Sequence, residues 1–136
     1  ALTGAGEAFC WGDNSSGQLG DGTTTTRMTP TPVMGLLFSE LTVSPTGAFT
    51  CGVAMGGDTY CWGQNDDGAL GDGTTTDRHL PTLVMGRFTR LTAGAAHTCG
   101  IAPDGTAWCW GEGSLDRLGN ADGGGDSHVP LPVVGP

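Results

Sequence analysis

The five cysteines are the residues best placed to do chemistry in this chain of 136 residues. Cys51 and Cys61 stand ten residues apart, as do Cys99 and Cys109, and each pair brackets a turn: Met55-Gly56-Gly57 or Pro103-Asp104-Gly105. Each pair is symmetric about its turn centre, Gly56 or Asp104, so a hairpin sets the two cysteines directly across from one another. A cross-strand disulfide fits there when the pair is a non-hydrogen-bonded one. The symmetry favours two disulfides, with buried thiol pairs as the alternative. A zinc site is the weaker choice, because Cys-x9-Cys brings no second close Cys or His. Disulfides imply oxidising surroundings, and hence an extracellular, cell-surface or periplasmic location. Cys10 is left unpaired, or available for an intermolecular bond, since its partner by the same symmetry falls just before Ala1.

The other reactive types carry less. His79 and His128 precede Pro81 and Pro130, with no Ser or free Cys at a spacing that makes a nucleophile and its base. Asp21, Asp66, Asp67, Asp72 and Asp122 lie in Gly-rich loops, where oxygen ligands for calcium are found. Yet Asp13-Asn14-Ser15-Ser16-Gly17 lacks the bidentate Glu that closes a calcium loop. Turn chemistry accounts for these Asp and Asn residues, so no metal and no cofactor is expected. The chain has no Lys, which excludes a phosphate-binding loop ending in that residue. Trp11, Trp62 and Trp110 recur at regular intervals and are expected in the core first, on a ligand surface only second. Asn14-Ser15-Ser16 fits an N-linked acceptor, and Thr23, Thr24, Thr25, Thr26, Thr74, Thr75 and Thr76 offer hydroxyls for O-linked sugar.

What positions these residues is a repeat. Cys10-Trp11-Gly12, Cys61-Trp62-Gly63 and Cys109-Trp110-Gly111 recur at spacings of 51 and 48 residues, each followed nine residues after its Cys by Leu-Gly: Leu19-Gly20, Leu70-Gly71 and Leu118-Gly119. The first two copies continue as Gly20-Asp21-Gly22-Thr23 and Gly71-Asp72-Gly73-Thr74, whereas the third has drifted to Gly119-Asn120-Ala121-Asp122-Gly123. Pro30 to Gly35, Pro81 to Gly86 and Pro130 to Gly135 close the units. The chain thus divides into a partial repeat over 1–35 and repeats over 36–86 and 87–136, about two and two-thirds units.

Within a unit, Phe88-Thr89-Arg90-Leu91-Thr92-Ala93 alternates between glycines and predicts a half-buried strand. Thr98 to Ala102 and Thr106 to Trp110 flank a three-residue hairpin loop whose Gly105 suits a bulged turn. A short edge strand is expected near Pro132-Val133-Val134, because Pro cannot donate to an inner ladder. Four strands per unit, no helical periodicity and tandem repetition predict an all-β fold of propeller blades.

These units resemble the regulator of chromosome condensation repeat family. The residues that carry the resemblance are Leu91-Thr92-Ala93-Gly94-Ala95-Ala96-His97-Thr98-Cys99-Gly100-Ile101, Asp104-Gly105, Trp110-Gly111 and Leu118-Gly119. In the middle copy they are Val53, Trp62-Gly63, Gly68-Ala69-Leu70-Gly71 and Asp72-Gly73. Two departures stand out: Phe49 replaces the His of position 97, and Ser44-Pro45-Thr46-Gly47 adds two residues. The resemblance implies a β-propeller, here an incomplete one. It implies that His97 is a structural residue bonding within its blade, and it brings exchange on a small GTPase and chromatin binding as known roles of the founding member.

The charge, −9 with five scattered Arg, argues against nucleic acid as a partner. The longest nearly apolar stretch, Pro32 to Phe38, is too short for a membrane span, so no membrane insertion is expected, and nothing has the pattern of a signal peptide. The cysteine pairs and the acidity both weigh against a nuclear exchange factor. The expected function is an extracytoplasmic structural or protein-interaction module, not an enzyme, with the loops Gly12 to Arg27 and Gly63 to Arg78 as its surface. Its partners are expected to be protein: further repeats of the same chain, or other copies completing one another into a ring, filament or surface assembly by strand exchange. A ligand-binding module for glycan or calcium is the alternative.

Overall fold

The computed structural model describes residues 1–121 and 123–135; Asp122, one of the loop carboxylates above, and Pro136 lie outside the described residues. The fold is all-β. Strands β1 (Phe9–Gly12) and β2 (Arg27–Pro32) form a two-stranded sheet. β3 (Phe38–Val43), β4 (Phe49–Ala54), β5 (Thr59–Gly63) and β6 (Arg78–Leu83) form a four-stranded antiparallel sheet in that order. β7 (Arg90–Ala93), β8 (His97–Ile101), β9 (Ala107–Gly111) and β10 (Ser127–Pro132) repeat it. The three sheets stand side by side as consecutive blades of an unclosed propeller.

Each hairpin follows from its turn. Gly57 and Gly105 take φ of +86° and +87°, which side-chain-bearing residues adopt only at a cost, and their N–H groups bond Ala54 O and Ala102 O. That closure fixes the register, and Cys51 pairs with Cys61 and Cys99 with Cys109 across adjacent strands. Both pairs are disulfides, with Cα–Cα distances of 4.1 Å as expected for non-hydrogen-bonded positions.

Two strand boundaries differ from expectation. The first strand of the last repeat begins at Arg90 rather than Phe88, because Phe88 turns inward against Trp110, ring centroids 5.1 Å apart. Its outer strand runs Ser127–Pro132, ahead of Pro132-Val133-Val134. It pairs only with β9, so Pro130 and Pro132 withhold no inner ladder bond. Among the described residues one 3-10 turn, Ser114–Asp116, interrupts the last loop.

The core lies between blades. Phe49, Cys51, Cys61, Leu70, Val84, Phe88 and Trp110 form one buried cluster, and Ala8, Val33, Phe38 and Trp62 form the other. No residue of β4 is exposed, because β3 and β5 flank it and neighbouring blades cover its faces. Inner strands meet as well: the Glu40 carboxylate accepts the Leu91 N–H at 2.8 Å.

Candidate interaction surface at the blade joints

The tryptophans show how one blade meets the next. Trp62 and Trp110 are completely buried, and each lies over the Leu-Gly loop of the preceding blade. A Cβ added to Gly20 would come 2.7 Å from Trp62 Nε1, and one added to Gly71 would come 2.6 Å from Trp110 Nε1. Only a residue without a side chain permits that approach. The indole N–H groups find no acceptor, so the contact is one of packing. Around it, Thr50 Oγ1 donates to Gln18 O at 2.9 Å and Thr98 Oγ1 to Ala69 O at 2.8 Å.

The outer strands complete the joint. Gly22 N–H donates to His79 O at 3.0 Å and Gly73 N–H to His128 O at 2.9 Å. A Cβ on Gly17 would sit 2.6 Å from His79 Cα, and one on Gly68 would sit 2.7 Å from His128 Cα. His79 and His128 are therefore packing partners of glycine loops.

Within each of the first two loops an asparagine organises the turn. Asn14 is fully buried; its Nδ2 donates to Thr23 O (2.9 Å), Thr25 O (3.1 Å) and Asp21 Oδ1 (3.2 Å), and its Oδ1 accepts Leu19 N–H (3.0 Å). Asn65 repeats the set with Thr74 O, Thr76 O, Asp72 and Leu70 N–H. The nitrogen of Asn14 that an N-linked sugar would occupy is thus enclosed and hydrogen-bonded in the folded chain. Thr23 and Thr74 are also engaged, each donating Oγ1–H to the neighbouring Asp at 2.7 Å. Thr24, Thr25, Thr26, Thr75 and Thr76 stay exposed.

The loop carboxylates are likewise occupied. Arg27 reaches Asp21 at 2.6 Å and Arg78 reaches Asp72 at 2.7 Å, with both aspartate side chains nearly buried. Burial opposes ionisation of Asp21, yet hydrogen bonds from Thr23, Arg27 and Asn14 outweigh it and hold its carboxyl at about 2. Asp72 is lowered by the same balance. Asp67 moves the other way, raised by burial and by the nearby Asp126, Glu112 and Asp66.

Trp11 lies elsewhere than expected. Trp11 is 50% exposed, unlike its two counterparts. The buried Nδ1 of His97 has no hydrogen-bond partner, while its ring packs against Gly94 and its carbonyl accepts the Gly94 N–H at 2.8 Å within the blade. Burial, assisted by Arg117 and opposed by Glu112, lowers its pKa. Cys10 is a free, half-buried thiol, raised by burial and only partly lowered again by the terminal ammonium. Ala1 and Phe9 exchange backbone hydrogen bonds (2.7 and 2.9 Å), which reproduces the Gly52–Tyr60 pairing of the next blade. A cavity of about 320 Å3 opens beside them, lined by Cys10, Trp11, Leu19, Val43 and Thr50 among others.

The repeated joint has a counterpart among known sequences. The profile of the Regulator of chromosome condensation (RCC1) repeat matches residues 5–53 and 56–101, and a second RCC1 profile matches residues 88–115. The chain belongs to the RCC1 repeat family. The human E3 ubiquitin-protein ligase HERC2 is 37% identical over 101 residues, which is 71% of this RCC1-repeat chain and 2% of HERC2. The chain thus spans a small fraction of the curated relatives it matches. Among solved structures, Prp20p from Saccharomyces cerevisiae, studied for its binding to Gsp1p and histones, superposes with a TM-score of 0.81 at 23% identity. That superposition covers 99% of this chain and 36% of Prp20p. At that identity the likeness is one of fold. The entire ectodomain of the Physcomitrella patens receptor kinase CR4 matches at 30% identity and a TM-score of 0.52, over 85% of this chain and 26% of the ectodomain.

The loops Gly12 to Arg27 and Gly63 to Arg78, expected from sequence to be free surface, are therefore partly joint. The signal was present in the sequence: Gly17-Gln18-Leu19-Gly20-Asp21-Gly22 and Gly68-Ala69-Leu70-Gly71-Asp72-Gly73 share every glycine. Conserving side-chain-free positions at that density within a loop marks close backbone approach as well as turning.

Proposed function

We propose that this RCC1-repeat chain is an extracytoplasmic protein-interaction module. The observation that carries the reading is the pair of cross-strand disulfides, at matching positions in two successive blades. Such bonds persist where thiols are not kept reduced. The likeness to a receptor kinase ectodomain supports the same compartment. Binding rather than catalysis is supported by the histidines, since His79 and His128 serve the joints and His97 packs on Gly94. Prp20p, which shares the fold, is a protein that binds other proteins.

Partners of this module are proteins, further repeats of the same kind included. Completion of the β1 edge by a strand donated from another copy is the less supported form of that association. β3 through β10 are all paired inside their own sheets, which leaves none of them free to leave without opening a blade. The exposed Thr24, Thr25, Thr26, Thr75 and Thr76 offer hydroxyls for O-linked sugar.

Protease added to intact cells that express the tagged parent protein tests the compartment. Cleavage of these repeats without lysis is the expected result. Protection until the cells are broken contradicts the proposal.

A further inference from the structure

The two joints inside the chain share their glycines and outer strands but not their charge. At the second joint a cavity of about 70 Å3 lies between the blades; Gln64, Asp66, Asp67 and Ala69 line it from one side and Ala95 and Ala96 from the other. Ala96 O accepts the Glu112 N–H at 2.9 Å, which holds Glu112 beside that wall. Asp126 stands two residues before His128, whose Cα is the contact of Gly68, the neighbour of Asp67. Four carboxyl groups thus gather where two blades meet. At the first joint the same positions hold Ser15 and Ser16 on one side and Gln64 and Asp77 on the other.

Three of the four carboxylates are answered within their own blades. Gln64 Nε2 donates to Asp66 at 2.6 Å, Arg117 pairs with Glu112 at 2.5 Å, and Gly113 N–H donates to Asp126 at 2.9 Å. Asp67 is half-buried, yet among the described residues it accepts no hydrogen bond and forms no ion pair. The other titratable groups on the elements packed here are His97 on β8, near Arg117 and Glu112, and His128 on β10. An ionised Asp67 therefore brings to the joint a charge that burial penalises and three neighbouring carboxylates oppose.

We propose that Asp67 makes the second joint pH-sensitive, looser in neutral surroundings and tighter in mildly acidic ones. Its folded pKa lies above the ordinary 3.8. The penalty is thus fully present well above that folded pKa and is relieved as pH falls through it. Asp21 and Asp72, which steady the two loops, are lowered instead and stay ionised over the same range, so the relief comes before their support is lost. The first joint, with serines facing Gln64 and Asp77, lacks the device. The inference concerns the joint itself and is independent of compartment.

Hydrogen exchange followed by NMR tests it, because each joint carries a matching amide. Gly73 N–H donates to His128 O across the second joint and Gly22 N–H to His79 O across the first. Protonation of the outer-strand histidines affects both, so the ratio of the two protection factors isolates what differs between the joints. From about pH 7 to about pH 4.5 the Gly73-to-Gly22 ratio should rise about threefold or more in the wild-type chain. In Asp67→Asn, and in Asp67→Ser, which installs the residue type of the first joint, the ratio should already be high at neutral pH and change little on acidification. Two results overturn the proposal: a wild-type ratio that stays constant, or a rise of the same size in the folded variants, which would assign the pH dependence to His97.

Discussion

Trp62 lies across Gly20 so closely that a methyl group on the glycine would meet the indole nitrogen at 2.7 Å, and Trp110 stands in the same relation to Gly71. Blades are joined by large aromatic rings set on bare backbone. The arrangement buries two tryptophans completely without a hydrogen bond to either indole, so its stability comes from apolar burial and close packing.

Alanine at Gly71 should therefore cost roughly 2–4 kcal/mol, combining overpacking with the left-handed backbone that Ala resists. Gly119 has a similar φ of +64° but faces only a Val133 methyl at 3.1 Å. Gly119→Ala should cost about 1–2 kcal/mol, the backbone part alone. Urea denaturation of the two variants checks the difference. Equal losses would mean that the Trp110 contact contributes little.

The hydrogen bonds that Thr23, Arg27 and Asn14 donate to Asp21 should make stability depend on acid. The folded pKa of Asp21, about 2, lies below its ordinary 3.8, so the stabilisation is fully present above about pH 4 and is lost as pH falls toward 2. Because Arg27 is partly exposed, solvent screens the pair and the effect should be on the order of 1 kcal/mol. Asp21→Asn should be less stable than wild type at pH 7, and the gap should narrow as the pH approaches 2. A gap that does not change with pH would contradict the lowered carboxyl of Asp21.

Much of this was legible before any coordinates. The 51-residue spacing and the symmetry of the cysteines about Gly56 and Asp104 lead directly to hairpins, register and disulfides, because a turn fixes which residues face each other. The exposure of Trp11 was not legible, since it depends on what lies beside the blade rather than on the blade's own sequence. The burial of Asn14 was equally hidden. A glycosylation motif records three residue types, whereas the fate of Asn14 is decided by carbonyls nine and eleven residues further on.

Folded protein should accordingly carry no sugar on Asn14. Asn14→Ala should lose about 1–3 kcal/mol, because Leu19 N–H and the carbonyls of Thr23 and Thr25 are left without their partner. Glycosidase treatment followed by intact mass checks the first statement, and thermal melting checks the second. A mass shift assigned to Asn14 in folded material would contradict the loop described.

The most direct test of a disulfide-stapled extracytoplasmic module is thiol trapping at the moment of lysis, read by mass spectrometry of the alkylated protein. The prediction is modification at Cys10 alone, with Cys51, Cys61, Cys99 and Cys109 becoming reactive only after reduction. Alkylation of all five cysteines without reductant would contradict it, and would place these RCC1 repeats in a reducing compartment.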